Sequence, residues 1–175
     1  TTAPAADHEP SRYTFDPRDP VPTIGGGISA ADPLMQPGGF DQRGRSAFYG
    51  CRDTLPLNAR SDVLTFQTEP LAQAMEVTGP ITVHLFAASS ALDTDFTAKL
   101  IDVFPPSLDY PEGLAINLTD SILRARYRNG WEQPALLEPE KVYEFVFQLY
   151  PTSNHFQAGH CLRLDISSSN FPRFD

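Results

Sequence analysis

The side chains that could perform chemistry in this sequence are few and widely separated. Hydrolases of the α/β type carry their nucleophile in a Gly-x-Ser-x-Gly turn between a strand and a helix. The nearest match, at residues 27–31, reads GISAA. It lacks the final glycine, and no strand–helix pattern surrounds it. Ser29 is therefore not expected to act as a nucleophile, and no catalytic residue is predicted.

The four histidines do not form a catalytic or metal-binding group either. His84 lies in a predicted strand, where a hydrogen-bonded structural role is expected. His160 and Cys161 are adjacent in another predicted strand, so their side chains point to opposite faces and cannot act as a dyad. His155 lies in a predicted loop and His8 near the start of the sequence. No pair has the spacing of metal ligands, so neither a cofactor nor a metal site is predicted.

Asp93 and Asp95 form the acidic pair with the clearest chemical potential. If residues 93–95 are extended, both carboxylates point the same way, as two calcium ligands would. Arg124 and Arg126 have the same spacing in a later predicted strand. Because no glycine-turned loop surrounds the aspartates, we expect structural ion pairs with these arginines rather than a metal site.

The two cysteines give no information on the compartment. Cys51 and Cys161 are far apart and belong to no metal-spaced motif. We interpret them as two buried thiols, while a disulfide between them has no support beyond their number.

Composition restricts the class of protein. The chain has 175 residues, which suits one domain with a full core. Its 17 prolines and 11 glycines disfavour long helices and favour short strands joined by turns. A formal charge of −9 argues against binding to nucleic acid, and no apolar run approaches the roughly 18 residues that would span a membrane. The sequence opens with Thr1 and carries no leader pattern, so we expect a processed protein or an internal piece of a longer one.

Two regions follow one another along the chain. Residues 1–60 contain closely spaced prolines at 16–22 and glycine runs, and they predict an extended connector. Residues 61–175 predict a β-sandwich, with strands near 63–68, 77–87, 96–104, 121–128, 141–150 and 160–168. The strand at 121–128 ends in Asn129-Gly130, which predicts a hairpin, and residues 151–154 predict a turn.

Several segments together resemble one family. They are residues 13–26 (YTFDPRDPVPTIGG), 69–71 (EPL), 77–80 (VTGP), 93–103 (DTDFTAKLIDV), 122–128 (ILRARYR), 159–160 (GH) and 167–175 (SSSNFPRFD). They resemble the C-terminal region of the cocaine esterase / X-Pro dipeptidyl-peptidase group of serine hydrolases, which includes glutaryl and α-amino-acid ester acylases.

This resemblance implies an all-β, jelly-roll, galactose-binding-like sandwich preceded by the Pro/Gly-rich connector. In the family it follows an α/β-hydrolase domain that carries the triad, so no catalytic residue transfers to this chain. The expected partner is that catalytic domain, on which the sandwich packs and whose substrate cleft it helps to close. The chain stops at Asp175, where relatives continue toward a further strand, which leaves the completeness of the sandwich open.

Large side chains at the two ends of the chain are the candidate contact surface. None has the alternation that would place it in the core of the sandwich. They are Tyr13, Phe15, Phe40, Phe48, Tyr49, Phe171, Arg173 and Phe174. We expect them to cover the catalytic domain, to mediate self-association of the chain, or to fold back over the sandwich. The alternative function is an independent carbohydrate-binding module, for which Trp131 is the one aromatic platform.

Overall fold

The computed structural model describes residues 9–28 and 34–174. Within these ranges the chain forms six strands and two single-turn 3-10 helices. The strands are β1 (Leu64–Gln67), β2 (Met75–Ala87), β3 (Asp95–Phe104), β4 (Leu114–Arg124), β5 (Tyr143–Phe156) and β6 (Cys161–Ser167). The 3-10 helices are Leu57–Ala59 and Ala125–Tyr127. The prediction of an all-β chain is confirmed. In the described part of the chain, no helix is long and apolar enough to cross a membrane.

The strands form two antiparallel sheets. One has four strands in the order β1-β6-β3-β4, and the other pairs β2 with β5. Side chains from both sheets meet in the main core, which includes Val83, Ala98, Leu100, Phe147 and Leu149. β3 is buried along most of its length because the second sheet covers one face and the N-terminal segment covers the other. The predicted strand near 96–104 is present as β3, although its buried side chains include the polar Thr97, Lys99 and Asp102.

The pairing of β2 with β5 continues through two prolines. The register shifts between Gly79 and Ile81, so that Pro80 lies opposite Tyr150 and Pro151. Proline has no backbone N–H to donate. It is tolerated at such a bulge because the ladder of hydrogen bonds is interrupted there. The predicted turn at residues 151–154 is therefore wrong: these residues continue β5, and Thr152 pairs with Gly79.

The predicted hairpin at Asn129-Gly130 is also wrong. β4 ends at Arg124, and the chain turns into a 3-10 helix rather than a reverse turn between paired strands. Ala125 donates its N–H to Thr94 O at 2.8 Å, and its side chain is fully buried beside Phe96. β4 and β5 are not neighbours in a sheet. Tertiary packing of Ala125 thus overrides the alternation at 121–128.

The N-terminal segment, residues 9–28 and 34–60, lies across the face of the four-stranded sheet that points away from β2 and β5. It joins the sheet through isolated bridges, such as Pro22 with Phe171 and Asp41 with Ile116. It also has a small core of its own, formed by Val21, Ile24, Phe48, Leu57 and Val63.

Candidate functional site

The four predicted ion-pair residues lie together at the start of β3. Asp95 is directly opposite Arg124 on β4 and accepts hydrogen bonds from its Nε at 2.9 Å and its Nη2 at 2.6 Å. This contact raises the pKa of the Arg124 guanidinium. Asp93 accepts from the Nε of Arg126 at 2.5 Å and from its backbone N–H at 2.9 Å. Each carboxylate is thus bound to one arginine, and among the described residues no cluster of His, Cys, Asp and Glu is suited to a metal.

A row of charged side chains is buried between the sheet and the N-terminal segment. Lys99 on β3 is in register with Asp165 on β6 and with Asp120 on β4. Alternation along the strands turns all three side chains toward the N-terminal segment. Burial lowers the pKa of Lys99, while Asp120 and Asp165 act in the opposite direction. The sequence pattern did not reveal this row, because it depends on the register between strands.

Gln42 connects the N-terminal segment to this row. Its Oε1 accepts a hydrogen bond from Lys99 Nζ at 2.7 Å. Its Nε2 donates to the carbonyl oxygens of Ile24 at 3.0 Å and Phe40 at 2.9 Å. One fully buried amide therefore bonds both to the sheet and to two points of the N-terminal segment.

Arg173 bonds to the other end of the row. Its Nη1 donates to Asp120 Oδ1, and Asn170 Nδ2 donates to Asp120 Oδ2 at 2.9 Å. The Arg173 guanidinium also lies over the rings of Phe174 and Tyr150. This residue, a candidate for a contact with another domain, thus has its charge satisfied within the chain.

The remaining candidate aromatics differ in exposure. Phe48 is buried, packed edge-on against Phe40 with ring centres 5.1 Å apart. The hydroxyl of Tyr13 is within hydrogen-bond distance of Ser168 Oγ, at 2.8 Å. Burial is the largest of the effects that raise the pKa of this tyrosine. Phe15 is half-buried. Phe48 is therefore not available to another domain in this conformation.

Tyr49 of the N-terminal segment packs beside Phe171 at the other end of the chain. Tyr49 is 50% exposed, and its ring centre lies 5.8 Å from that of Phe171. Phe171 and Phe174 are half-buried. Leu55, at 57%, is another exposed apolar side chain of the N-terminal segment. The structure thus brings together two clusters that lie at opposite ends of the sequence.

Further exposed apolar side chains lie in the connections between β4 and β5 and between β2 and β3. Trp131 is 78% exposed, and its ring centre is 4.8 Å from that of Tyr127. Leu92 and Leu136 are exposed as well, and a hydrogen bond from Leu137 N to Leu92 O links their segments. Sequence reasoning identified Trp131 but not the leucines.

His160 and His84 occupy structural positions. His160 Nδ1 is 2.8 Å from Asp102 Oδ1, and Asn154 donates to the other oxygen of that carboxylate at 3.1 Å. The ring of Phe104 packs on His160. His84 is paired with Glu144 at 2.9 Å. An Asp–His pair orients a general base in acyl-transfer enzymes, but the hydrogen bonds of the described residues join no serine or cysteine to His160.

The two thiols and the candidate nucleophile complete the predicted residues. Both cysteines are free, with Cys161 buried and Cys51 half-buried. Ser29 and His8 lie outside the described residues. Two antiparallel sheets that meet in a common core define the chain as a β-sandwich domain.

Comparison with known proteins places this domain in a family. The model of the X-Pro dipeptidyl-peptidase C-terminal non-catalytic domain matches residues 1–175. The chain belongs to this family, which forms the C-terminal domain of CocE/NonD hydrolases. The predicted resemblance is confirmed.

Similar proteins include enzymes much longer than this chain. Cocaine esterase of Rhodococcus sp. (strain MB1 Bresler) is 43% identical over 163 residues, which are 93% of this chain and 25% of that protein. A putative serine esterase of Mycobacterium bovis is 30% identical over 129 residues, 64% of this chain and 20% of that protein. The solved structure of an α-amino acid ester hydrolase superposes with a TM-score of 0.76 at 31% identity, covering 99% of this chain and 27% of that one. The chain thus spans about a quarter or less of the length of these relatives.

Proposed function

We propose that this chain is the substrate-shaping β-domain of a serine hydrolase that cleaves ester or amide bonds. In this proposal it packs on an α/β-hydrolase catalytic domain of the same polypeptide and helps to close the substrate cleft. That domain supplies the nucleophile, the base and the oxyanion hole of an acyl-enzyme mechanism. Residues 1–60 act as the connector, and residues 61–175 form a jelly-roll, galactose-binding-like sandwich.

The observation that carries the proposal is the joining of the two terminal aromatic clusters. Tyr49 and Phe171 are 5.8 Å apart, and Phe171 bridges to Pro22 of the N-terminal segment. An exposed apolar surface of this kind indicates a protein contact. Gln42 and Lys99 hold the segment beneath it in place. A partner domain would therefore meet a preformed surface that includes Tyr49 and Phe171.

The absence of catalysis by the chain alone is tested directly. The 175-residue chain should convert a fluorogenic ester and an X-Pro anilide at the rate of buffer, because the chemistry belongs to the other domain. Turnover that survives repurification and disappears in Ser29→Ala would refute a non-catalytic role.

The contribution to the cleft is tested in the longer polypeptide. Tyr49→Ser should raise KM for an ester substrate by about three- to tenfold, the effect of losing about 0.7–1.4 kcal/mol of apolar contact. Trp131→Ser is the matched control, since it also removes an exposed aromatic ring but in the connection between β4 and β5. If Tyr49→Ser, Trp131→Ser and the parent had equal kinetic constants, the proposed role in the cleft would be refuted.

The second candidate function is carbohydrate binding, favoured by the exposed Trp131 ring beside Tyr127. Sugars stack on such platforms through their apolar faces. Calorimetric titration of the chain with oligosaccharides would support this function if binding occurred and Trp131→Ser abolished it. If no oligosaccharide bound, carbohydrate binding would be refuted and only the proposed role as a domain of a hydrolase would remain.

A further inference from the structure

A small cavity lies between the N-terminal segment and the sheet. Its volume is about 10 Å³, and a cavity needs roughly 10–15 Å³ to hold one water molecule. Val21 and Val63 contribute apolar parts of its lining, whereas Lys99, Asp165 and Asn170 contribute polar parts. The mixed lining matters because dry cavities in proteins are apolar, whereas polar cavities of this size bind water.

Lys99 contributes hydrogen-bond donors to this cavity. An ammonium group has three N–H donors, and one of them is used on Gln42 Oε1 at 2.7 Å. Asp120 and Asp165 flank Lys99 in the sheet, but their described ion pairs are with Arg173 and Arg163. Polar groups that are separated by more than hydrogen-bond distance in a buried site are commonly bridged by water.

Asn170 lines the same cavity and has an acceptor without a partner in the described part of the chain. Its Nδ2 donates to Asp120 Oδ2 at 2.9 Å. This bond fixes the orientation of the amide, because the flipped amide would place its own oxygen against the carboxylate oxygen of Asp120. Its Oδ1 is buried and has no hydrogen-bond partner among the described residues. Leaving a buried amide oxygen without a donor is costly, so a donor at this position is strongly favoured.

We propose that this cavity is a binding site for one water molecule, which accepts a hydrogen bond from Lys99 Nζ and donates one to Asn170 Oδ1. The second proton of the water is available to the carboxylates that line the cavity, Asp120 and Asp165. The water thereby joins the cation of β3 to the segment that follows β6. It also keeps the buried ammonium solvated, which opposes the lowering of the Lys99 pKa by burial. This inference concerns the chain itself and does not depend on the proposed function.

The first test is a high-resolution crystal structure of the full chain. The expected result is an ordered water within hydrogen-bond distance of both Lys99 Nζ and Asn170 Oδ1. A direct contact between these two atoms, or a cavity without density for water, would overturn the proposal.

The second test uses a substitution that fills the cavity. Val21→Ile adds one methylene group to the apolar part of the lining. If the cavity is dry, this addition raises Tm, as filling a void does. If the cavity binds the proposed water, the added group displaces it and lowers Tm by about 2–4 °C, the shift expected for about 1 kcal/mol in a chain of this size.

The matched control is the same substitution in a Lys99→Met background. Without the ammonium the water loses its strongest donor. Val21→Ile should therefore lower Tm less in the Lys99→Met background than in the parent chain. A rise in Tm in the parent background, or equal losses in both backgrounds, would contradict the site.

Discussion

Asp120 is the carboxylate whose removal should most strongly destabilise the chain. It is only 2% exposed. It accepts hydrogen bonds from Arg173 Nη1 and Asn170 Nδ2, and it lies opposite Lys99 in the sheet. Asp120→Asn preserves the shape of the side chain, removes its charge, and replaces one acceptor oxygen with a donor NH2 group. Two buried cations then lose their shared counter-charge, and one of the two former donors faces another donor.

The expected loss follows from burial. Removing one partner of a buried ion pair costs about 3–5 kcal/mol because the other charge is left uncompensated. At about 2–4 °C per kcal/mol for a chain of this size, Asp120→Asn should lower Tm by about 6–20 °C. Asn170 would lose its fixed orientation as well, so the effect should extend to the segment after β6.

The assay is thermal denaturation of the chain followed by circular dichroism, with Asp95→Asn as the matched control. Asp95 also binds an arginine through two hydrogen bonds, but the Arg124 side chain is 40% exposed. Solvent screening limits such pairs to about 1 kcal/mol. If Asp120→Asn cost no more than Asp95→Asn, the reasoning that burial makes this network costly to break would be refuted.

Two further predictions concern other groups. Burial lowers the pKa of Lys99 below its ordinary value of 10.5, so the unfolded chain binds more protons between the folded-state pKa and 10.5. The contribution of Lys99 to stability should therefore rise with pH through that window. Urea midpoints measured over a pH series should lose this rise in Lys99→Met, and equal slopes in both proteins would contradict the assignment. Cys51 is half-buried and Cys161 is buried. A thiol reagent should therefore label Cys51 quickly and Cys161 only on unfolding. Rapid labelling of both thiols in the native chain would count against the packing around β6.

The features that sequence predicted are those set by local patterns. Residues 96–104 include six apolar side chains, with Leu100 and Ile101 adjacent, which favours cover on both faces, and β3 has that cover. Asp93 and Asp95 share the two-residue spacing of Arg124 and Arg126. Asp95 bonds to Arg124 across β3 and β4, and Asp93 bonds to Arg126 just beyond the ends of these strands. The spacing argument rests on the alternation of a strand, which repeats every two residues.

The features that sequence failed to predict depend on tertiary contacts. Asn129-Gly130 is typical of a hairpin, but burial of Ala125 beside Phe96 and the bond from Arg126 N to Asp93 end β4 earlier. Residues 151–154 have turn composition, but pairing with β2 keeps them extended. The row formed by Asp165, Lys99 and Asp120 brings together three separate strands, and their register is not readable from composition or spacing.

The buried row of charged side chains explains how the N-terminal segment, which has few ladder hydrogen bonds, keeps one position on the sheet. The apolar contacts of Val21, Ile24 and Leu57 contribute buried area, but apolar contact is non-directional and would tolerate a shift along the sheet. Directional hydrogen bonds do not tolerate such a shift. A shift of the segment would separate Gln42 from Lys99 and Phe40 N from Asn117 Oδ1, and each broken bond would leave a buried polar group unsatisfied. Because the buried side is fixed in this way, the half-exposed Tyr49 is held at a defined position, which the proposed contact with a catalytic domain would require.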